Sequence, residues 1–261
     1  MWTQEKANIH ILIGTAAVLI VVSIFVSLSR GGMISTCLAL LVFTALLLKR
    51  KISRGSTLLI IGLVFLTALS IGWFGWDQII ERFARLKNTQ GVIYEARLDF
   101  WTDTLGMIRH FILTGAGFGA FSHVYPLHRS MAGDFFLNHA HNDYLELLAE
   151  GGLIGFALSA VFMAVLLAKT YRTFLTRRDA FSIYLYMGCV TALTSILLHS
   201  FTDFNLHIGA NGLWFFFTAG LAVAAANTGI RKNSRMTRLV PVSSGIRQSA
   251  AVSTVCLVAL M

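Results

Sequence analysis

Long, uninterrupted apolar runs constrain this chain more than any other feature of its sequence. Several segments approach or reach about 20 mostly apolar residues, the length that crosses a bilayer as a helix. Their apolar residues are continuous and do not alternate with period two, which favours helices over a membrane barrel. Only 13% of the residues are charged, against about 25% in a typical soluble domain. The sequence therefore predicts an all-α fold, a polytopic transmembrane helix bundle.

We expect six spans and a seventh, Gln248–Met261, that stops early. The apolar stretch after Lys6 is too long for a cleaved signal peptide, so we count it as a span. We expect residues 1–261 to form a single membrane domain, with 76–151 as one large loop that contains short amphipathic helices between spans three and four. The six predicted spans are Ile9–Leu28, Met33–Leu48, Ser56–Gly75, Gly152–Tyr171, Phe181–His199 and Ala210–Thr228.

Basic residues are concentrated in three short loops, which predicts the orientation of the bundle. The loops near residues 49–54, 169–178 and 231–238 each hold four Lys or Arg residues, and they alternate with the other connections. The positive-inside rule makes these three loops cytoplasmic and places the large loop outside. The net charge of +9 is thus explained by topology, and we expect no nucleic-acid partner.

The segment from His139 to Gly152 is the densest polar stretch of the large loop, and it leads directly into a span. Asn142 is placed to cap a helix over 143–150, on which Glu146 and Glu150 share a face. Two histidines beside carboxylates have three interpretations: a zinc site, hydrogen bonding to loop backbone, or general base catalysis near neutral pH. The residues alone leave all three open.

Two arginines stand out on the same side of the predicted bundle. Arg30 belongs to a minimal turn, Ser29–Gly32, and is either an interfacial anchor or a functional residue. Arg97 lies on a predicted amphipathic helix over 93–110, where a structural ion pair with a nearby aspartate is the simplest interpretation. The apolar face of that helix is predicted to contain Leu98, Trp101, Leu105 and Ile108.

Two further loop features follow. The glycines of Leu113–Phe121 lack a preceding strand and the G-x-G-x-x-G spacing, so they predict a tight backbone turn against the membrane and exclude a nucleotide site. Asp203 lies in the last outward loop, four residues after His199. It is a helix cap, a partner for an arginine, or a carboxylate that orients a catalytic histidine.

Taken in order, these segments resemble one family. The chain reads S-R-G-G, then R-x-x-x-W leading to G-x-G-x-G-x-F, then H-x-H-N-D-x-L-x-x-L-x-E-x-G-x-x-G, and finally H-S-x-x-D-F-N-L. This resembles the O-antigen ligase/polymerase family of bacterial membrane glycosyltransferases, which also includes O-oligosaccharyltransferases. The resemblance runs over nearly the whole chain. Because family members usually have more spans and carry these motifs in their C-terminal half, we expect the chain to correspond to that part of such a protein.

The resemblance implies transfer of a glycan from an undecaprenyl-diphosphate carrier, at the periplasmic face of a bacterial inner membrane. The acceptor would be lipid A core, a polysaccharide or a protein. His141 matches the essential histidine of the family and His139 a less constant neighbour, while Arg30 and Arg97 match arginines that engage the diphosphate. We expect supporting roles for Asn142, Glu150 and Asp203. Since arginines replace a divalent cation in this scheme, we expect no metal and no cofactor.

A polytopic transporter or flippase for a lipid-linked or anionic substrate is the alternative. Such a protein would also use outward arginines, but it should carry ionisable residues inside its spans and two related halves with broken helices. The predicted span interiors are nearly free of ionisable residues, and we find no repeat in the sequence.

Overall fold

The computed structural model of the protein describes residues 2–49, 97–130 and 136–227. All regular structure in these ranges is helical, and they contain no strand, which confirms the predicted all-α fold. The α-helices are α1 (Trp2–Val26), α2 (Arg30–Lys49), α3 (Arg97–His110), α4 (Phe121–Val124), α5 (Asp143–Thr176), α6 (Ala180–His199) and α7 (Gly209–Asn227), and single 3₁₀ turns cover Tyr125–Leu127 and Asn205–His207.

Four of these helices, α2, α5, α6 and α7, are long and apolar enough to cross a membrane. Helix α1 adds a shorter apolar stretch, Gly14–Val26. Five of the predicted spans fall on these helices, and the protein is a multi-pass membrane protein. The predicted spans Ser56–Gly75 and Gln248–Met261 lie outside the described residues.

The turn before α2 differs from the prediction. We expected the turn to be Ser29–Gly32, but α2 already begins at Arg30. The chain changes direction one residue before the predicted turn, at Leu28, whose φ is 55°. The Ser29 hydroxyl oxygen then accepts a hydrogen bond from the N–H of Gly32 at 3.1 Å. Serine is a favoured N-cap residue, so Arg30 lies in the first helical turn.

Packing divides the chain into two compact units. The first comprises Met1–Ile79, Lys169–Ser195 and Phe216–Met261, and the second comprises Ile80–Ala168 and Ile196–Phe215. The single domain over 1–261 and the loop over 76–151 stay predictions, since part of both lies outside the described residues.

The first unit is held together by aromatic packing with a few polar contacts between its helices. The rings of Phe174 and Tyr186 stack with their centroids 4.6 Å apart, and both side chains are buried. The Lys49 ammonium donates to the Tyr171 hydroxyl at 2.6 Å. The first contact joins α5 to α6, and the second joins α2 to α5 across 122 positions of the sequence.

A break divides α5 at Gly152. This residue has φ 61° and ψ −169°, a conformation open essentially only to glycine. The helix predicted over 143–150 and the span predicted from Gly152 are the two halves of α5 on either side of this break. Both predicted elements are therefore confirmed, although they form one broken helix.

The glycine turn over 113–121 closes the break. The broken helix leaves two carbonyls and two N–H groups without their usual partners one turn away. The loop supplies a partner for each of these groups. The four hydrogen bonds run from the N–H of Ala116 to Ala149 O (2.9 Å), Gly117 to Glu150 O (3.0 Å), Leu153 to Ile112 O (2.9 Å) and Ile154 to Leu113 O (3.2 Å).

Two glycines allow this close approach. A Cβ atom on Gly115 would fall on the carbonyl of Glu150, and a Cβ atom on Gly152 would fall on the carbonyl of Leu113. Both residues also have positive φ. The sequence predicted a tight turn here, and the structure shows that the turn packs against α5.

Helix α3 packs against the start of α5 with a face that matches the prediction at Trp101 and Ile108 only. Its buried residues are Asp103, Thr104 and Met107, whereas Leu98 and Leu105, expected on its apolar face, are exposed. The buried carboxylate of Asp103 accepts hydrogen bonds from the Tyr125 hydroxyl (3.0 Å) and the N–H of Ser130 (3.1 Å). Burial, together with this bond, raises the pKa of Tyr125. The predicted helix is confirmed from Arg97, and 93–96 lie outside the described residues.

The break predicts a sharp difference between two glycines of the same helix. Replacing Gly152 with Ala should lower the free energy of unfolding by more than about 2 kcal/mol, because it combines a forbidden conformation with a backbone clash. Thermal unfolding of the purified protein in detergent measures this loss.

Gly155→Ala is the matched control. A Cβ atom there meets only ordinary van der Waals contact, 3.7 Å from Phe118, and alanine favours the helix. Equal melting temperatures for the two variants would contradict the proposed role of the break.

Candidate functional site

Asn142 begins α5 as the sequence predicted. Its side-chain oxygen accepts hydrogen bonds from the N–H groups of Tyr144 (3.0 Å) and Leu145 (3.1 Å). This is an N-cap, which satisfies two donors that the first helical turn leaves open. The N–H of Asp143 donates to the carbonyl of Ser200 at 2.9 Å. The start of α5 is thereby fixed to the last loop of the unit.

Three carboxylates follow on one face of the first turns of α5. They belong to Asp143, Glu146 and Glu150, with spacings of three and four residues, and all three are at least 95% buried. We call them the carboxylate row. Buried carboxylates need hydrogen-bond partners, and each member of this row finds them in a different segment.

Asp143 holds the last loop. One of its oxygens accepts from the N–H of Leu206 at 3.0 Å, and the other lies 2.7 Å from Nδ1 of His207. Glu150 holds the glycine turn, since its Oε1 accepts from the N–H of Phe121 at 2.9 Å.

Glu146 holds the histidine segment. Its Oε2 accepts from the N–H of Ala140 at 2.8 Å, and its Oε1 lies 2.7 Å from Nδ1 of His139. The same Oε1 is 3.4 Å from Nε2 of His207. Glu146 therefore lies between two imidazoles, although it is almost fully buried.

His141 forms a separate pair with Asp203. Its Nδ1 lies 3.2 Å from Oδ1 of Asp203, and both side chains are about 30% exposed. The ring packs against Phe100 and, edge-on, against Phe204. The backbone of His141 has φ 52°, which is uncommon for a residue other than glycine. Such a conformation is consistent with a functional position held by its surroundings.

Asp203 is surrounded by groups that favour its ionised form. The hydrogen bond with His141 lowers the pKa of Asp203; burial opposes this, and the N–H of Phe204 and the charge of Arg97 lower it further. The Arg97 guanidinium also donates to the carbonyl of Thr202. His199 lies 4.0 Å from the second oxygen of Asp203. Asp203 is thus an anionic partner for two imidazoles beside a guanidinium.

Phe204 stands between the two histidines of the H-x-H motif. Its ring stacks on His139 at 4.5 Å between centroids and meets His141 edge-on at 4.9 Å. The motif therefore divides: His139 turns towards Glu146, and His141 turns towards Asp203. The structure therefore does not bring the two histidines of the motif together as ligands of one metal site.

A different trio has ligand atoms close enough for a metal ion. Among the described residues, His139, Glu146 and His207 bring one ligand atom each within 4.8 Å of one another. Two histidines and a glutamate are a known zinc ligand set. In the structure Glu146 contacts the imidazoles of both His139 and His207 directly.

The structure brings most of the predicted site residues together in the second unit. His139, His141, Asn142, Glu150, Arg97 and Asp203 all belong to it. Glu150 contacts the glycine turn and serves as a support for the backbone there. Arg30 belongs to the first unit, in the first turn of α2.

Sequence reasoning missed the roles of Asp143, Glu146 and His207. The spacing of three acidic residues on one helix face was visible, since two of them were already placed on a shared face. His207 was visible only as one more residue of the last loop, because its partners lie more than sixty positions earlier in the chain.

One family model matches the chain. Its description is O-antigen ligase, and it covers residues 15–160, more than half of the chain. The matched region includes Arg30, Arg97, His141 and the carboxylate row, and it ends before Asp203. No curated protein and no solved structure matches the chain significantly.

The contacts of His207 predict a pH-dependent stability. The hydrogen bond with Asp143 raises the pKa of His207, against the effect of burial and with further help from Glu146. A histidine whose pKa is higher in the folded state than in the unfolded state stabilises the fold. For His207 this stabilisation is fully present at pH values below the unfolded pKa of about 6.5, and it is lost as pH rises through the folded pKa. The melting temperature of wild type minus that of His207→Gln should therefore shrink from about pH 6 to about pH 9.

His123→Gln is the matched control, because His123 is exposed in the same unit. Differential scanning fluorimetry in detergent at several pH values measures all three proteins. A difference for His207→Gln that grows as pH rises would contradict the assigned contact.

Proposed function

The chain belongs to the O-antigen ligase family, and we propose on this basis that it transfers a glycan from an undecaprenyl-diphosphate carrier to an acceptor. Glycan transfer of the O-antigen ligase or polymerase type is the reaction of this family. Our proposal adds the donor, the location at the periplasmic face of the inner membrane, and the residues that act. The observation that carries it is the pair formed by His141 and Asp203 beside Arg97.

His141 is the proposed general base. In the reaction, the acceptor hydroxyl oxygen bonds to the anomeric carbon of the donor glycan, and the bond from that carbon to the diphosphate oxygen breaks. The leaving diphosphate takes the electron pair, and the hydroxyl proton passes to the imidazole. Direct displacement inverts the configuration at the anomeric carbon. A positioned base contributes about 10²–10⁴-fold to such a step.

Asp203 is the proposed positioning residue for His141. When Nδ1–H of His141 donates to Asp203, Nε2 carries the lone pair that accepts the proton. The ionised carboxylate then stabilises the imidazolium that forms. The lowered pKa of Asp203 supports this role, because the group stays anionic while the imidazole is protonated.

Arg97 and Arg30 are the proposed diphosphate ligands. A guanidinium offers planar, paired donors that suit phosphate oxygens and remains charged at all working pH values. The position of Arg97 supports this role. Its charge lowers the pKa of Asp203, and its guanidinium donates to the carbonyl of Thr202 in the same loop. Arg30 is supported by its place in the family match. These charges would stabilise the leaving group without a metal ion.

The remaining site residues are proposed supports. Asn142 fixes the start of α5, immediately after His141. His139 is held by Glu146 and by the Phe204 ring, so it acts as a helper that keeps Phe204 packed beside His141. The acceptor is lipid A core, a growing polysaccharide or a protein.

Replacing His141 with Ala should abolish transfer while leaving expression and membrane insertion unchanged. The variant is expressed in a strain that lacks the gene, and carrier-linked and transferred glycan are both quantified. We expect at least a hundredfold less transferred glycan, with carrier-linked chains accumulating, because the base contributes about 10²–10⁴-fold.

Two further variants sharpen this test. Asp203→Asn should cause a loss of similar size through the wrong imidazole tautomer, whereas His123→Ala should transfer normally. Near-normal product from His141→Ala would refute the base assignment. Unchanged glycan on deletion of the gene would instead favour the transporter alternative.

A further inference from the structure

The glycine turn carries an exposed apolar surface that the proposed reaction does not use. We define the turn surface as Phe111, Ile112, Leu113 and Phe118. All four side chains are exposed, Leu113 at 62% and Phe118 at 75%. From 111 to 121 the chain has no charged residue. An apolar patch of this kind on a protein indicates contact with a partner or a membrane.

The turn surface is fixed at the break in α5. Ile112 and Leu113 accept hydrogen bonds from the first two residues after Gly152. The ring of Phe118 lies over the helix face that carries Gly151 and Gly155, the face where the small residues leave room for it. The surface therefore cannot move independently of α5.

The apolar surface continues along α5 beyond the break. Leu153, Ile154 and Leu158 are all exposed, and so are Val161 and Phe162 one turn further on. Helix α5 is one of the helices long and apolar enough to cross a membrane. These side chains match the lipid-facing side of a span, so the turn surface continues the exposed apolar surface of a helix that can cross a membrane.

The length of the apolar segment places the break at a membrane boundary. From Gly152 to Ala168 the helix carries no charge, and at its standard rise this stretch is about 25 Å long. The hydrocarbon core of a bilayer is about 30 Å thick. Gly152 therefore lies near one edge of the core, and the turn surface lies at the same level.

We propose that Phe111, Ile112, Leu113 and Phe118 insert into the interfacial layer of the bilayer, beside the end of the α5 span. The lipid surface is the occupant of this patch. The hydrogen bonds at the break hold the patch at a fixed depth relative to α5. The helical segment between Asn142 and Gly152 is about 15 Å long, so His141 cannot lie much farther than that from the interface. A lipid-linked diphosphate would then meet the site at the level of the headgroups.

Spin labels measure the depth of the turn surface. Single-cysteine variants Leu113→Cys and Phe118→Cys are prepared in full-length protein lacking Cys37, Cys189 and Cys256, and reconstituted in phosphatidylethanolamine–phosphatidylglycerol vesicles. Collision with oxygen should exceed collision with a water-soluble nickel chelate at both labels. His123→Cys, an exposed polar position of the same unit, should show the reverse.

Either of two outcomes would overturn the proposal. If nickel chelate reaches the labels at 113 and 118 as readily as the label at 123, the turn surface faces water. If neither reagent reaches them, protein covers the surface instead of lipid. The measurement uses no glycan donor, so its result is independent of the proposed reaction.

Discussion

The buried carboxylates at the start of α5 are the constraint on which the second unit depends. Burying a carboxylate is costly unless hydrogen bonds replace its hydration. Asp143, Glu146 and Glu150 satisfy this requirement with donors from three different loops. Because all three carboxylates lie on one rigid helix face, the loops acquire fixed positions relative to one another. The pair of His141 and Asp203 follows from this arrangement, since each belongs to a loop that the row fixes.

The break at Gly152 separates two halves of α5 that have different roles. The half before it carries the polar row and the site, and the half after it is an apolar span. A continuous helix would satisfy its own backbone and would leave the glycine turn without partners. The break exposes four backbone groups, and the turn satisfies each of them. The glycine turn is therefore joined to α5 on both sides of the break through backbone hydrogen bonds.

Local sequence patterns predicted the parts of this fold that depend on local physics. Apolar run length predicted the described spans, and the Asn142 cap and the helix after it followed from propensity. The turn before α2 was misplaced by a residue or two, because Ser29 and the glycines after it are all plausible in a turn or a first helical turn. The buried face of α3 was predicted only in part: Ile108 and Trp101 contact the buried cluster, whereas Leu98 and Leu105 are exposed.

The contacts that build the site could not be predicted in the same way. The pairing of His139 with Glu146 was within reach, since the two residues are seven positions apart. The pairing of His207 with Asp143 joins residues sixty-four positions apart, and no local pattern encodes it. In a regular extended segment the two histidines of the H-x-H motif would share a face. The positive φ of His141 interrupts that regularity, and the two rings turn to different partners. The insertion of Phe204 between them is a tertiary effect.

Hydrogen exchange tests the role of the carboxylate row most directly. In detergent-solubilised protein, Asp143→Ala should accelerate amide exchange over 203–207, Glu146→Ala over 139–141, and Glu150→Ala over 116–121, because each variant removes the acceptor for one loop. The account predicts that each variant loosens its own loop most, and that Glu146→Ala also loosens 203–207 to a smaller extent because Glu146 contacts His207. Uniform acceleration of all three loops in every variant, or unchanged exchange in all of them, would contradict it.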